Sequence, residues 1–245
     1  MGLFSKSKRM MNQGSVLTRD DIKRELLKGS IKIWPFKKEL LREASYDVRL
    51  GEDFMTQDTE VGREYRTLNI WGESGDYDYG AKDLWNHYPS KLETINIRGK
   101  KKAVKTILIE PKEMVLGHTE EFVGTDETIS VFLSTRSSIA RSCFFTCQCS
   151  FFGNPNFFDR WTLEITNNTC IYRIPLVAGE PVSSMIFVKT SAYKDENNNN
   201  SKQELPSDEE LEAILNSPEY VEKHFAKVIK EWNPEKMKSK LSKPQ

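Results

Sequence analysis

The chain is short of several things, and each shortage removes a class of function. Its 245 residues carry no net charge, because Lys+Arg 36 are balanced by Asp+Glu 36. That excludes a general pull toward nucleic acid or an anionic membrane, so any anion site has to be local. Histidine is limited to His87, His118 and His224. None stands in a telling context, so a Ser-His-Asp triad is a poor reading. The cysteines are Cys143, Cys147, Cys149 and Cys170, without a CxxC pair or a histidine cluster, which argues against zinc. They read as reduced, packed thiols of an intracellular, cytoplasmic protein. No apolar run is long enough to span a membrane. The glycine-rich phosphate loops and the G-x-S-x-G elbow are missing. The opening MGLFSKSKRMM lacks a signal-peptide core, and Lys6 occupies the position where a myristoylation signal wants Ser or Thr.

What is present centres on residues 136–167. Arg136 and Arg141 bracket Ser137, Ser138, Ile139 and Ala140. Two guanidinium forks and two hydroxyls within six residues suit a polyphosphate. Further on, Trp161, Leu163 and Ile165 alternate with Thr162, Glu164 and Thr166. A period of two predicts a strand with Glu164 on the face opposite the apolar set. Phe151, Phe152, Phe157 and Phe158 crowd the preceding loop. A carboxyl group against aromatic surface suits general acid/base work, while an ordinary solvated strand face is the plain alternative.

In chain order, residues 18–29 predict a helix: Thr18 caps it, Asp21 completes a capping box, Leu17 staples it and Gly29 stops it. Its apolar face is Ile22, Leu26 and Leu27. Residues 44–51 alternate and end on glycine, as a strand and turn do. Residues 52–105 have no sustained periodicity and predict an elaborated loop region with short strands. The basic run Arg98-Gly99-Lys100-Lys101-Lys102 reads as a solvated turn. Strands are expected over 106–111, 114–123, 129–133, 171–176 and 184–188, which indicates an all-β barrel or sandwich. His118-Thr119-Glu120 matches half of the zinc nucleoside-deaminase signature, but no P-C-x-x-C follows.

After residue 194 the character changes. Residues 195–206 form an asparagine-rich linker and 207–245 a helical tail. Ser207 and Glu210 make a second capping box ahead of Leu211, Ile214 and Leu215. Ser217-Pro218 opens another helix, whose stripe of Val221, Phe225, Val228, Ile229 and Trp232 packs on the barrel or on a neighbouring subunit. Residues 1–16 are expected to be a disordered basic arm, leaving 17–194 as the domain.

Several ordered blocks resemble one family. Arg136-Ser137-Ser138-Ile139-Ala140-Arg141 is similar to the R-S-S-[IL]-A-R motif of dCTP deaminases, in the dUTPase-like superfamily, and the spacing to Thr162-Leu163-Glu164 agrees with it. Residues 17–36, 45–51, 116–122 and 177–187 resemble further family segments in the right order. The version here looks most like phage or large-virus members. The resemblance implies a mainly β fold, a distorted dUTPase-like β-barrel of β-clip or jelly-roll kind. It implies a homotrimer with sites between subunits, a deoxynucleoside triphosphate substrate carried with Mg²⁺, and zinc-independent deamination of dCTP to dUTP and ammonia. Nucleic acid and membrane are not expected partners. By the same resemblance Glu164 is the proton shuttle, and Ser137 and Arg141 position water and pyrimidine. Arg136 and Ser138 go with the phosphates, and Ser150 and Asn154 line the substrate pocket. Asn154 replaces the aspartate that serves dUTP-hydrolysing relatives as a base. An amide cannot take that proton, so dUTP diphosphatase is the weaker alternative. Ser150, Asn154 and Ser184 all depart from the pattern, which also leaves a non-catalytic nucleotide-binding protein as an alternative.

Overall fold

The computed structural model describes residues 16–57, 68–69, 79–80, 84–141, 145–147, 151–190 and 205–239. Residues 1–15 of the expected basic arm and 195–204 of the expected linker lie outside these residues, while Val16 bridges to Val188.

Helix α1 (Arg19–Lys28) begins as its sequence requires. The Thr18 side chain accepts from the Asp21 amide, the Asp21 carboxylate accepts from the Thr18 amide, and Gly29 ends the helix at φ 80°. Such a cap is worth about 1 kcal/mol. Ile22 and Leu26, one turn apart, are fully buried, whereas Leu27 is 41% exposed. One residue on is a 100° step around the helix, which carries Leu27 off the apolar face.

The strands follow as β1 (Ile31–Trp34), β2 (Tyr46–Arg49), β3 (Asp53–Gln57), the short parallel pair β4 (Leu68–Asn69) and β5 (Tyr79–Gly80), β6 (Trp85–Pro89), β7 (Lys91–Ile97) and β8 (Lys100–Ile109). Then come β9 (Met114–Thr125), β10 (Ile129–Thr135), the one-turn helix α2 (Ser137–Ala140), β11 (Phe145–Cys147), β12 (Phe152–Gly153), β13 (Phe158–Asn167), β14 (Ile174–Val177) and β15 (Pro181–Lys189). One sheet runs β11-β13-β9-β3-β6, with β1 also paired to β9; a second runs β12-β10-β15-β2; a third runs β14-β8-β7. The fold is mainly β, as expected. The two large sheets enclose a common core that includes Tyr46, Val48, Val131, Leu163, Ile165 and Phe187. Among the described residues the sheets do not join into one closed hydrogen-bonded ring.

Residues 52–105 are more regular than their sequence suggests. β7 and β8 form an antiparallel hairpin from Lys91↔Thr106 to Ile97↔Lys100. Arg98 (φ 51°) and Gly99 (φ 82°) make its turn, and Lys100, Lys101 and Lys102 open β8. Most of β7 and the start of β8 are exposed, so no apolar alternation marks them in the sequence.

The tail is docked. Asp208, at the start of α3 (Asp208–Leu215), meets both Arg19 and, at 2.9 Å, Lys23 of α1. Asn216 accepts from the Phe36 amide at 2.9 Å and donates to the Phe36 carbonyl at 2.8 Å. Helix α4 (Pro218–Glu231) buries Phe225 and Val228 with Phe122, against Trp34 and Phe158. Its stripe thus packs on the β domain. A single turn, α5 (Lys236–Ser239), ends the described chain. Among the described residues no helix is long and apolar enough to cross a membrane.

The expectation of packed thiols needs correcting. Cys170 is a free, exposed cysteine, because it lies in the turn between β13 and β14 rather than on an inward strand face. Cys143, Cys149 and the Cys147 side chain lie outside the described residues.

Candidate active site

Glu164 stands where its strand pattern puts it. On β13, Trp161, Leu163 and Ile165 are buried and the residues between them are half-buried. Opposite Glu164 in the register is Leu116 of β9. Glu164 lines a cavity of about 330 Å³ together with Phe152, Gly153, Asn154, Phe157, Trp161 and Thr162. Phe152, Phe157 and Trp161 give it about half aromatic walls. The Phe157 and Trp161 rings meet edge to face at 4.9 Å. A Cβ on Gly153 would fall 1.9 Å from the Trp161 ring, so only glycine lets the indole lie this close. The β13–β9 register shifts between Arg160 and Thr162, and the Trp161 amide there donates to Thr119 Oγ1 at 2.9 Å.

The turn Asn154-Pro155-Asn156 forms the rim. Asn156 adopts φ 62°, a left-handed conformation that asparagine tolerates better than most residues, and its amide donates to the Asp126 carbonyl at 3.2 Å. Asn154 is exposed at the cavity edge. Ser150 lies outside the described residues.

The arginine–serine turn is built elsewhere. It follows β10, with Ile139 packed on the core and Ser137, Ser138 and Arg141 exposed. Arg136 is half-buried, its Nε 3.2 Å from Asp47, and Nη1 donates to the Pro181 carbonyl at 3.2 Å. Asp47 is buried on β2 and also receives Arg42 Nε at 2.8 Å and the Ser184 hydroxyl at 2.5 Å. Asp47 is not among the residues that the sequence singles out. Its signal was an acid inside an apolar alternation, and what fixes it is the β2–β15 register Asp47↔Ser184. No residue of 136–141 lines the Glu164 cavity. Within one chain, then, Glu164 and Asn154 come together in one place, and Arg136, Asp47 and Ser184 in another.

Strand β9 holds further titratable groups. Glu121 is buried against Arg49 Nε at 2.6 Å, and burial pushes its carboxyl up to about 7 against the pull of Arg49. Arg49 Nη1 also reaches Glu120 at 3.0 Å. Asp53 of β3 is held down to about 2, first by the His118 ring 3.8 Å from its carboxylate and then, against burial, by His87 at 3.0 Å. Among the described residues no group of three His, Cys, Asp or Glu side chains is arranged to hold a metal ion.

Residues 16–190 match the dCTP deaminase-like family model. The chain belongs to this family. The "dCTP deaminase, dUMP-forming" of Bifidobacterium animalis is 25% identical over 178 residues, covering 72% of this chain and 80% of the relative. The protein of the same name from Leptospira biflexa is 31% identical over 151 residues, covering 61% and 70%. Among solved structures, the 2'-deoxycytidine 5'-triphosphate deaminase from Agrobacterium tumefaciens aligns with a TM-score of 0.49 and 15% identity. That match covers 72% of this chain and only 47% of the Agrobacterium chain. The matched region stops before α3, so the docked helical tail lies beyond it.

Proposed function

We propose that this protein deaminates dCTP by water addition, with Glu164 as the proton shuttle. The observation that carries this reading is the Glu164 carboxylate on the wall of an aromatic cavity, in a chain of the dCTP deaminase-like family. Water attacks C4 of the cytosine ring and a C–O bond forms. Glu164 takes one water proton and passes it to the exocyclic amine, the C–N bond breaks, and ammonia leaves. The second water proton ends on the ring, giving the uracil base. Phe152 and Phe157 offer apolar surface to the pyrimidine, and Thr162 borders it.

The guanidinium and hydroxyl half of the site comes from a second copy. Ser137, Ser138 and Arg141 are exposed, while Phe151 and Phe152 near the cavity are 66% and 42% exposed. A homotrimer whose copies each present the arginine–serine turn to a neighbour's cavity covers both surfaces. There Ser137 and Arg141 position the water and the developing charge, and Arg136 and Ser138 hold phosphate oxygens. Mg²⁺ fits as an ion brought in by the triphosphate, because Asp47 already has Arg42, Arg136 and Ser184 as partners. When bound it neutralises phosphate charge.

The product is dUTP, since the exposed Asn154 amide offers no base for attack on a phosphate. The dUMP-forming relatives supply the second reading, in which pyrophosphate leaves as well. Incubation with Mg²⁺ and either dCTP or dUTP separates the two. Ammonia and dUTP from dCTP, without pyrophosphate, are expected. Ammonia with pyrophosphate favours the dUMP-forming reading, and binding without ammonia overturns the deaminase.

A further inference from the structure

The tail beyond the matched domain lies on the reactive face of the β9–β13 pair. Residues directly opposite in an antiparallel pair point to the same side. Here the opposed pairs are Arg160↔Phe122, Thr162↔His118 and Glu164↔Leu116. The row 160, 162, 164 thus shares one face with the row 122, 118, 116. The tail touches each member of the second row in turn. Phe225 of α4 is buried with Phe122. The Trp232 ring lies 4.6 Å from His118, and it also carries the Arg160 guanidinium at 4.4 Å. Met237 of α5 is buried with Leu116, Met55 and Trp85. Lys236 reaches Asp159 at 3.4 Å and ties the same segment to β13 itself.

The groups under Trp232 are tightly fitted. A Cβ on Gly51 would fall 1.9 Å from the His118 ring, so β9 and the chain around Gly51 pack without slack. His118 is buried, and its Nδ1 pairs with the Thr119 carbonyl at 2.8 Å. Arg160 is clamped between the Phe122 ring at 4.7 Å and Trp232. Its Nε is buried without a hydrogen-bond partner, so the two rings are direct contacts of its guanidinium, with the charges of Asp53, Glu120 and Glu52 acting on it as well. Trp232 therefore bears on Arg160 directly and on the neighbour of Thr162, while Met237 bears on the neighbour of Glu164. A carboxylate that must both take and give a proton is sensitive to displacement, and about 1 Å can cost on the order of 100-fold in rate.

We propose that Trp232 and Met237, on a helical extension outside the deaminase-like domain, are positioning residues that hold the Arg160–Thr162–Glu164 row of β13 in register for proton transfer. The inference rests on the proposed deaminase reading for its catalytic half. Its structural half stands on contacts alone.

Two readouts test it on the full-length protein. Hydrogen exchange of the β13 amides needs no activity. Trp232→Ala is expected to speed exchange across 158–167 by about tenfold while leaving β15 unchanged. Ammonia release from dCTP is expected to show kcat lowered about tenfold with KM moved less than about twofold, and Trp232→Phe is expected to recover most of it. Leu215→Ala, in the α3 contact with the main core, is the control for general destabilisation: it is expected to lower Tm and leave kcat unchanged. If Trp232→Ala leaves β13 exchange unchanged, speeds β15 equally, or leaves kcat unchanged, the positioning role is wrong. So it is if Leu215→Ala lowers kcat as much as Trp232→Ala does. If the unmodified protein releases no ammonia, the deaminase reading falls and the exchange arm alone decides the structural role.

Discussion

On the β9–β13 sheet the available chemistry is a carboxylate among aromatic rings. On the β2–β10–β15 sheet it is a set of guanidinium groups and hydroxyls around the buried Asp47. The first set can exchange a proton and grip a flat ring. The second can hold phosphate oxygens. The first is a cavity of about 330 Å³, half walled by phenylalanine and tryptophan. The second carries Ser137, Ser138 and Arg141 exposed at the surface, and none of them lines the first. On the proposed reading the two regions complete each other across copies, and their separation within one chain is what that reading expects.

The largest expected effect falls on the carboxylate side. Glu164→Gln keeps the shape and removes the proton acceptor. It should lower ammonia release by about 10²–10⁴-fold while leaving dCTP binding within a few-fold, measured by steady-state kinetics and calorimetry. An active Glu164→Gln protein would contradict the assignment. On the other side, Arg136→Ala removes a charged donor and one partner of Asp47. The apparent KM for dCTP should rise by about 10–100-fold, with a smaller change in kcat. A pure kcat loss would move Arg136 from phosphate binding to chemistry.

Next in size is a pH effect at the junction of the two regions, where Arg49 of β2 pairs with Glu121 of β9. Burial raises the Glu121 carboxyl from 4.5 to about 7. Its contribution to stability is therefore fully present below 4.5 and is lost as pH rises through about 7. Melting temperature should fall by about 5–10 °C between pH 5 and pH 8, and Glu121→Gln should flatten that fall. Asp53 runs the other way. Its carboxyl is held down to about 2, so its contribution holds above 3.8 and fades only in strong acid. The smallest effect is expected at the rim: Asn154→Asp should add slow pyrophosphate release to unchanged ammonia release, read by product chromatography.

The carboxylate half was legible in the sequence because local signals agree there. Alternation around Glu164 fixed its face, and of the aromatic residues before it Phe152 and Phe157 line the cavity, whereas Phe158 packs on Phe225 and Phe151 on Phe132. The capping boxes at Thr18 and Ser207 formed as read, since a cap needs only its own turn. Asp47 was not legible, because its partners Arg136 and Ser184 come from distant β10 and β15 ends and only the sheet register joins them. The β7–β8 hairpin was hidden for a different reason: a ribbon wetted on both faces writes no apolar period. The place of Trp232 was half legible. Its helical stripe promised a packed face, but which strand it would cover depended on how α3 docks through Asp208 and Asn216.

The most direct test mixes two inactive proteins, Glu164→Gln and Arg141→Ala, after unfolding and refolding them together with equal amounts of each. If a site takes its carboxylate from one copy and its arginine from the next, about a quarter of the sites regain both, and ammonia release should return to about a quarter of the unmodified level. No recovery, from a mixture shown to form mixed oligomers, would mean that each chain builds its site alone and would contradict the shared site.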